Sequence, residues 1–470
     1  MIDWLTASRY AAALIERPDR VTAAVAEAVG NAPRFQNTSF PVSPLPLFTD
    51  SVATAGIVPA LEAYVELLEK IVRRYREEPE IRQWYALGPA AEKLIAADRR
   101  LGDAVTVCRL DGYLEQGSER LRLLENNADA PAGTLFSPRV NHLVRDMLVR
   151  AGLEPPAWSR LSFADETALL DVLLGCLSAA GADGSAAGDP QVAILQLAGR
   201  ANHESHEMAE LFRRSGIHAF VADPRQVRLA DGKVRFGDRP ADVCWNKVNT
   251  VAWRTAVESD PELVDRWAAV LSSGALVHVN SFAARYVAEN KLALALPREP
   301  RFAQLFTEEE RALADRLLPW ARQLRKDAVG ADGETPLLEH VQDHPAQYVI
   351  KVPYDIRGDG VTIGREASRA EWERSVAGAL ENRLIVQRYV PPAAYPVLRL
   401  GETPRVVAMP VSLDTYLFRG KVAGFGSKAS LNARLNVFQG GQKLALHVVE
   451  PPPSQRIEAA TSERQVTAAR

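Results

Sequence analysis

Between residues 104 and 127 the sequence alternates with a period of two, the pattern of paired strands. One strand reads Val105-Thr-Val-Cys-Arg109-Leu-Asp111-Gly-Tyr-Leu114 and the other Leu121-Arg-Leu-Leu-Glu125-Asn-Asn127, with a polar turn around Gly117 between them. Side chains alternate across a strand, so Arg109 and Asp111 share one face, as do Glu125 and Asn127. An antiparallel register with residues 116–120 as the turn sets Asp111 opposite Glu125. Directly opposed carboxylates repel and weaken a sheet, unless a divalent cation lies between them. Asp, Glu and Asn oxygens are hard ligands suited to a Mg²⁺ ion that also holds substrate phosphates. A plain solvated polar face is the other reading of the same spacing.

The chain around this hairpin has 470 residues. At ~150 residues per domain that predicts about three domains or lobes, with a core large enough to need no disulfides. Lys plus Arg is 56 and Asp plus Glu is 59, a net charge of −3. Such a balance argues against a nucleic-acid or anionic-membrane partner, since both leave a basic footprint. Cys108, Cys176 and Cys244 are widely spaced and odd in number, which fits a reduced compartment and buried thiols. No apolar run reaches the ~18 residues that a membrane span needs. Met1-Ile-Asp-Trp4 is no basic leader, so a cytoplasmic protein is expected.

Helices are expected over 8–30, 57–78, 89–100, 139–152 and 164–180, with a proline-punctuated extended stretch at 33–48. Residues 179–190, rich in Gly, Ala and Asp, read as a linker. An α/β pattern follows, with strands at 192–197, 217–222 and 242–248, a helix over 202–215 and an Asp231-Gly232 hairpin. Helices are then expected at 261–272, 283–292 and 307–326, and two or three strands over 404–437.

Two further segments bear on chemistry. In Tyr348-Val-Ile-Lys351-Val-Pro-Tyr-Asp-Ile-Arg357-Gly358-Asp-Gly360-Val361 a strand ends in a lysine and a glycine loop returns into another strand. Lys351 could meet a phosphate, and Gly358 and Gly360 would let backbone N–H groups approach it. An ordinary hairpin turn gives the same pattern. The helix after it opens on a capping box, Ser368-Arg-Ala-Glu371. In Gln387-Arg388-Tyr389-Val390-Pro-Pro a buried strand runs into a double proline, and such a connection can offer backbone groups to an adenine or simply end a strand. His203-Glu-Ser-His206-Glu207 is not HExxH and reads as a polar helix face, and GxGxxG is absent, which excludes a nicotinamide enzyme.

In this order, the segments resemble a circularly permuted ATP-grasp ligase of the glutathionylspermidine synthetase-like carboxylate–amine ligases. Arg109-x-Asp111 followed by Leu124-Glu125-x-Asn127-x-Asp129-x-Pro131-x-Gly133 carries most of the resemblance. It implies an α/β (α+β) fold: an N-terminal helical and extended region over 1–83, permuted grasp strands with the metal motif over 84–180, a pre-ATP-grasp α/β domain over 190–282, nucleotide-clamping lobes over 283–450 and a loose tail over 451–470. It further implies that Arg109 is catalytic and that Asp111, Glu125 and Asn127 hold Mg²⁺. Lys291, Lys351, Gly358, Gly360, Gln387, Tyr389 and Val390 would bind ATP, with the 357–360 loop as a lid.

The implied reaction is ATP-dependent amide or peptide bond formation through an acyl phosphate, giving ADP and phosphate. The partners would be a small carboxylic acid and an amine: an amino acid, a peptide or a polyamine. The substrates' identity is not legible, and a homo-oligomer is compatible with the sequence. The alternatives are an ATP-grasp phosphotransferase and a non-catalytic nucleotide-binding protein.

Overall fold

The 104–127 alternation folds into the strands Val107–Leu114 and Leu121–Asn127. They form one side of a five-stranded antiparallel sheet, continued by Ser412–Phe418, Lys421–Ala429 and Gln442–Leu444. Sequence-distant strands thus complete the sheet that the hairpin begins. The structure, a computed structural model, describes all residues except 36–37, 182–188, 200–202, 355–359, 401–403, 433, 436, 438–439 and 451–470. Most of the linker-like stretch and the whole tail therefore lie outside the described residues.

A second antiparallel sheet faces this one across a cleft. Its order is Ala321–Gln323, Ile385–Arg388, Tyr348–Lys351, Val361–Ile363. The helix Arg369–Asn382 covers its outer side and opens on the expected capping box of Ser368 and Glu371. A third, all-parallel sheet has the order Val277–Val279, Val243–Asn246, Gln191–Leu195, His218–Ala222. Its strands are near-continuous apolar runs because helices bury both faces.

The long helix Ser51–Glu77 lies against the central core with Leu61, Tyr64, Leu68, Ile71, Val72 and Tyr75 buried. By length and composition it could also cross a membrane. The expectation that no apolar run reaches that length is corrected to this extent, although the helix packs its buried stripe against protein.

Several boundaries differ from expectation. The helix read over 8–30 is two, Trp4–Ile15 and Pro18–Val29, because Pro18 starts a helix but cannot continue one. The helix read over 307–326 stops at Leu317, and Ala321–Gln323 is an edge strand of the second sheet; Pro319 separates them. The helix read over 283–292 is a π-helical turn, Ala284–Ala288, then a 3₁₀ turn, Lys291–Leu294. Asn290 interrupts it, its side chain accepting the Leu292 N–H at 2.9 Å and donating to the Tyr354 hydroxyl at 3.0 Å.

Candidate active site

The hairpin register does set Asp111 opposite Glu125 and Arg109 opposite Asn127. It gets there by a route the alternation hides. Leu114 pairs with Leu121 and Gly112 with Leu123, so an unbroken ladder would set Asp111 against Leu124. A bulge at Leu124 shifts the register by one residue and turns Glu125 toward Asp111. The carbonyl of that bulged residue accepts a hydrogen bond from Lys351 Nζ at 2.7 Å. The lysine belongs to the second sheet, so the bulge links the two walls of the cleft.

Asp414 lies opposite Asp111 on the next strand. Three carboxylates, of Glu125, Asp111 and Asp414, therefore form one row across the sheet. Cations compensate them. Asp111 accepts from Arg109 Nε at 2.5 Å and Nη2 at 2.9 Å, from Lys428 Nζ at 2.9 Å and from Asn127 Nδ2 at 3.2 Å. Lys428 Nζ also lies 3.5 Å from Asp414. Burial alone would raise the Asp111 carboxyl, but Arg109 and Lys428 together hold it well below the ordinary carboxylate range. The same pairing holds Lys428 above the ordinary lysine range, against a burial effect of opposite sign.

Beneath the hairpin, Asn280 fixes its base, accepting from Val107 N–H at 2.9 Å and donating to the carbonyls of Val107 and Ala128 at 2.6 and 2.7 Å. The Glu289 carboxylate accepts the N–H groups of Ala128 and Asp129 at 2.5 and 3.0 Å. Burial and the nearby Asp129 push its carboxyl well above the ordinary range. Lys291 emerges from the 3₁₀ turn with its Nζ 3.4 Å from Glu125.

These elements frame a cleft of about 490 Å³ between the two sheets. Arg109, Asp111, Glu125, Asn127, Lys351, Gln387, Tyr389 and Val390 all line it. Lys291 is buried behind Glu125 rather than among the lining residues. Gly358, and with it most of the expected lid, lies outside the described residues. Gly360 is described: its carbonyl accepts the Val352 N–H at 3.0 Å just before the Val361–Ile363 strand. Leu124, Val349, Val361, Ile363 and Val390 give the cleft an apolar slot. Beside it Gln387 is 1% exposed, and its Nε2 has no hydrogen-bond partner among the described residues. A buried donor left open in a cleft is costly unless a ligand meets it.

Sequence reasoning missed Lys428, Asp414, Lys443, Glu204 and Lys247. Glu204 was read as part of a polar helix face. It is buried, pairs with Lys247, and its Oε1 accepts N–H groups of Gly133 and Leu135 at 2.9 and 3.2 Å at the start of the helix Phe136–Arg150. A carboxylate there complements the helix N-terminus. The alternation at 412–428 could have found Asp414 and Lys428, because it puts them on one face once the strands are paired.

The oxygens present fit a divalent ion. Glu125 offers a carboxylate to the cleft with its side chain 28% exposed, and Asp414 keeps a buried Oδ1 with no hydrogen-bond partner among the described residues. Asp111 has the least spare capacity, since four donors already converge on it. Among the described residues no three His, Cys, Asp or Glu side chains form a ready cage. An ion here would draw on the Asn127 amide and on substrate phosphates, as Mg²⁺ sites commonly do.

No family model matches the chain, and no curated protein matches it. Among solved structures, a glutathione synthetase-like effector from Globodera pallida aligns with a TM-score of 0.56 at 13% identity, covering 93% of this chain and 97% of that one. A RimK-domain ATP-grasp protein from Sphaerobacter thermophilus aligns more loosely, with a TM-score of 0.27 at 18% identity over 51% of this chain and 91% of its own. Only the first alignment is close enough to bear on architecture, and by it this chain has the mixed helix-and-sheet fold of a glutathione synthetase-like protein.

Proposed function

We infer that the protein is an ATP-dependent carboxylate–amine ligase with a circularly permuted ATP-grasp architecture. One observation carries the reading. Lys351 and the strand end Gln387–Val390, from one sheet, meet Arg109, Asp111, Glu125 and Asn127, from another, in a single cleft. In this reading the apolar slot takes the adenine, and Gln387 donates its open amide N–H to the nucleotide. Lys351 meets phosphate oxygens as a point charge. Glu125 and Asn127, with Asp111 behind them, hold Mg²⁺, which supplies neutralisation of phosphate charge when bound. Arg109 offsets charge on the phosphoryl group and on the substrate carboxylate.

A carboxylate oxygen attacks the γ-phosphorus, the bond to ADP breaks, and an acyl phosphate forms. An amine then attacks the acyl carbon, phosphate leaves, and the amine loses its proton. Holding both substrates between two sheets orients them and keeps water from the acyl phosphate.

The test is a screen of acid and amine pools, with mass detection of a product lighter by one water than its two parents. ADP should form only when acid and amine are both present. ADP formation with an acid alone and a stable phosphorylated product would point to a phosphotransferase instead.

Lys351→Ala removes a charge-assisted contact worth roughly 1.5–3 kcal/mol. Calorimetry with Mg²⁺ and a non-hydrolysable ATP analogue should show affinity about tenfold to a hundredfold weaker. Unchanged affinity would remove Lys351 from the nucleotide site.

A further inference from the structure

The cleft has a second cationic end that the nucleotide does not need. Lys443 lies directly opposite Lys428 on the neighbouring strand and lines the cleft. Lys428 gives its charge to Asp111 and Asp414. Lys443 has no such partner: among the described residues neither a hydrogen bond nor an ion pair meets its ammonium. Nor is it a loose surface side chain. Its backbone N–H donates to the Pro41 carbonyl at 2.7 Å, and its carbonyl accepts the Ser43 N–H at 2.9 Å.

The charges around it are unfavourable. Lys428 and Arg109 repel it, while Asp111 and Asp414, which attract it, are already shared by those two cations. Burial, with that repulsion, pushes the Lys443 ammonium down to about 8. A half-buried cation beside another cation is stabilised by an anion, and among the described residues no carboxylate pairs with it directly.

Position separates this end from Glu125. The strands of Lys443 and Glu125 are the two edges of the five-stranded sheet. Four strand spacings lie between them, roughly 19 Å at the usual separation. The wall on this side includes Phe40 and Phe136, with ring centroids 6.0 Å apart. An anion attached to an apolar or aliphatic body would fit these surroundings.

We propose that Lys443, backed by Lys428, binds a substrate carboxylate that takes no part in the new bond. One substrate is then an amino acid, a peptide or a dicarboxylic acid, and a pairing of a simple monocarboxylic acid with a polyamine is excluded. This rests on the ligase reading for the rest of the cleft. The carboxylate can come from either the acid or the amine, and the test separates the two sources.

Calorimetry compares two probe sets on the whole protein. One is the dicarboxylates from succinate to pimelate, each against its monomethyl ester. The other is a set of α-amino acids, each against its methyl ester. Binding at least tenfold tighter for the free carboxylate is expected in one set, and that set names the source. Lys443→Met should abolish the preference and Lys443→Arg should retain it. Affinity for the ATP analogue should not change in either variant. No preference in either set, or a preference that survives Lys443→Met, overturns the proposal. Failure of the wild-type protein to bind the ATP analogue would instead sink the ligase reading, and the carboxylate comparison would still decide the role of Lys443.

Discussion

Glu125→Gln is expected to lower turnover at least about a hundredfold while leaving the fold intact, the scale for removing one electrostatic group aimed at transition-state charge. The substitution keeps shape and hydrogen-bonding capacity but deletes the carboxylate that faces the cleft. Glu125 is placed for this by the Leu124 bulge, and its charge is balanced by Lys291 rather than consumed by a short ion pair. Lys291 keeps the nearby Glu289 as a second counter-charge, so circular dichroism should match the parent protein and the denaturation midpoint should shift little. Nucleotide affinity should become less dependent on Mg²⁺. Full activity in a Glu125→Gln, Asn127→Ala double variant would remove these two residues from the metal site.

Asp111→Ala has a different expected signature, a loss of stability. Asp111 is 8% exposed and accepts four hydrogen bonds, two from Arg109 and one each from Lys428 and Asn127. Its removal leaves two cations close together in a buried setting, with Asp414 the one carboxylate beside them among the described residues. Breaking a buried ion pair from one side typically costs about 3–5 kcal/mol. Urea denaturation should therefore show a large drop in midpoint without a change in slope. The pH dependence follows from the depressed Asp111 carboxyl. A group held below its unfolded pKa stabilises the fold above that pKa, near 3.9 for aspartate, and the contribution is lost as pH falls through the folded value. In acid, then, the gap between parent and variant should narrow. An Asp111→Ala protein as stable as the parent at neutral pH would show that the network is ornamental to folding.

What could be read from the sequence follows from how local each signal is. Alternation within 107–127 exposed the hairpin and the shared faces of Arg109, Asp111, Glu125 and Asn127. The bulge at Leu124 could not be read, because one extra residue leaves the alternation on each side of it undisturbed. The capping box at Ser368 and Glu371 was legible because its partners are three residues apart. Alternation puts Asp414 and Lys428 on one face, but nothing local told what that face meets, and the same holds for Lys443. Their meaning depends on strands 300 residues away in the chain pairing with the hairpin, and no local pattern announces that pairing. Glu204 shows a related failure. Its polar neighbours suggested a solvated stretch, yet Glu204 lies one turn before Met208 on the buried face of its helix, and the carboxylate meets the start of another helix. The break at Asn290 was hidden by the apolar stretches 286–288 and 292–294 that flank Glu289-Asn290-Lys291, although it is what delivers Lys291 to Glu125.

The claim that a carboxylate is activated by phosphoryl transfer in this cleft has a direct isotopic test. Once the screen has identified an acid and amine pair, the acid is supplied with both carboxylate oxygens labelled with ¹⁸O. If a carboxylate oxygen attacks the γ-phosphorus and phosphate later leaves the acyl carbon, that oxygen departs with the phosphate. The released phosphate should then carry one ¹⁸O per turnover and the amide the other. Phosphate released without label, alongside an amide product, would contradict the account.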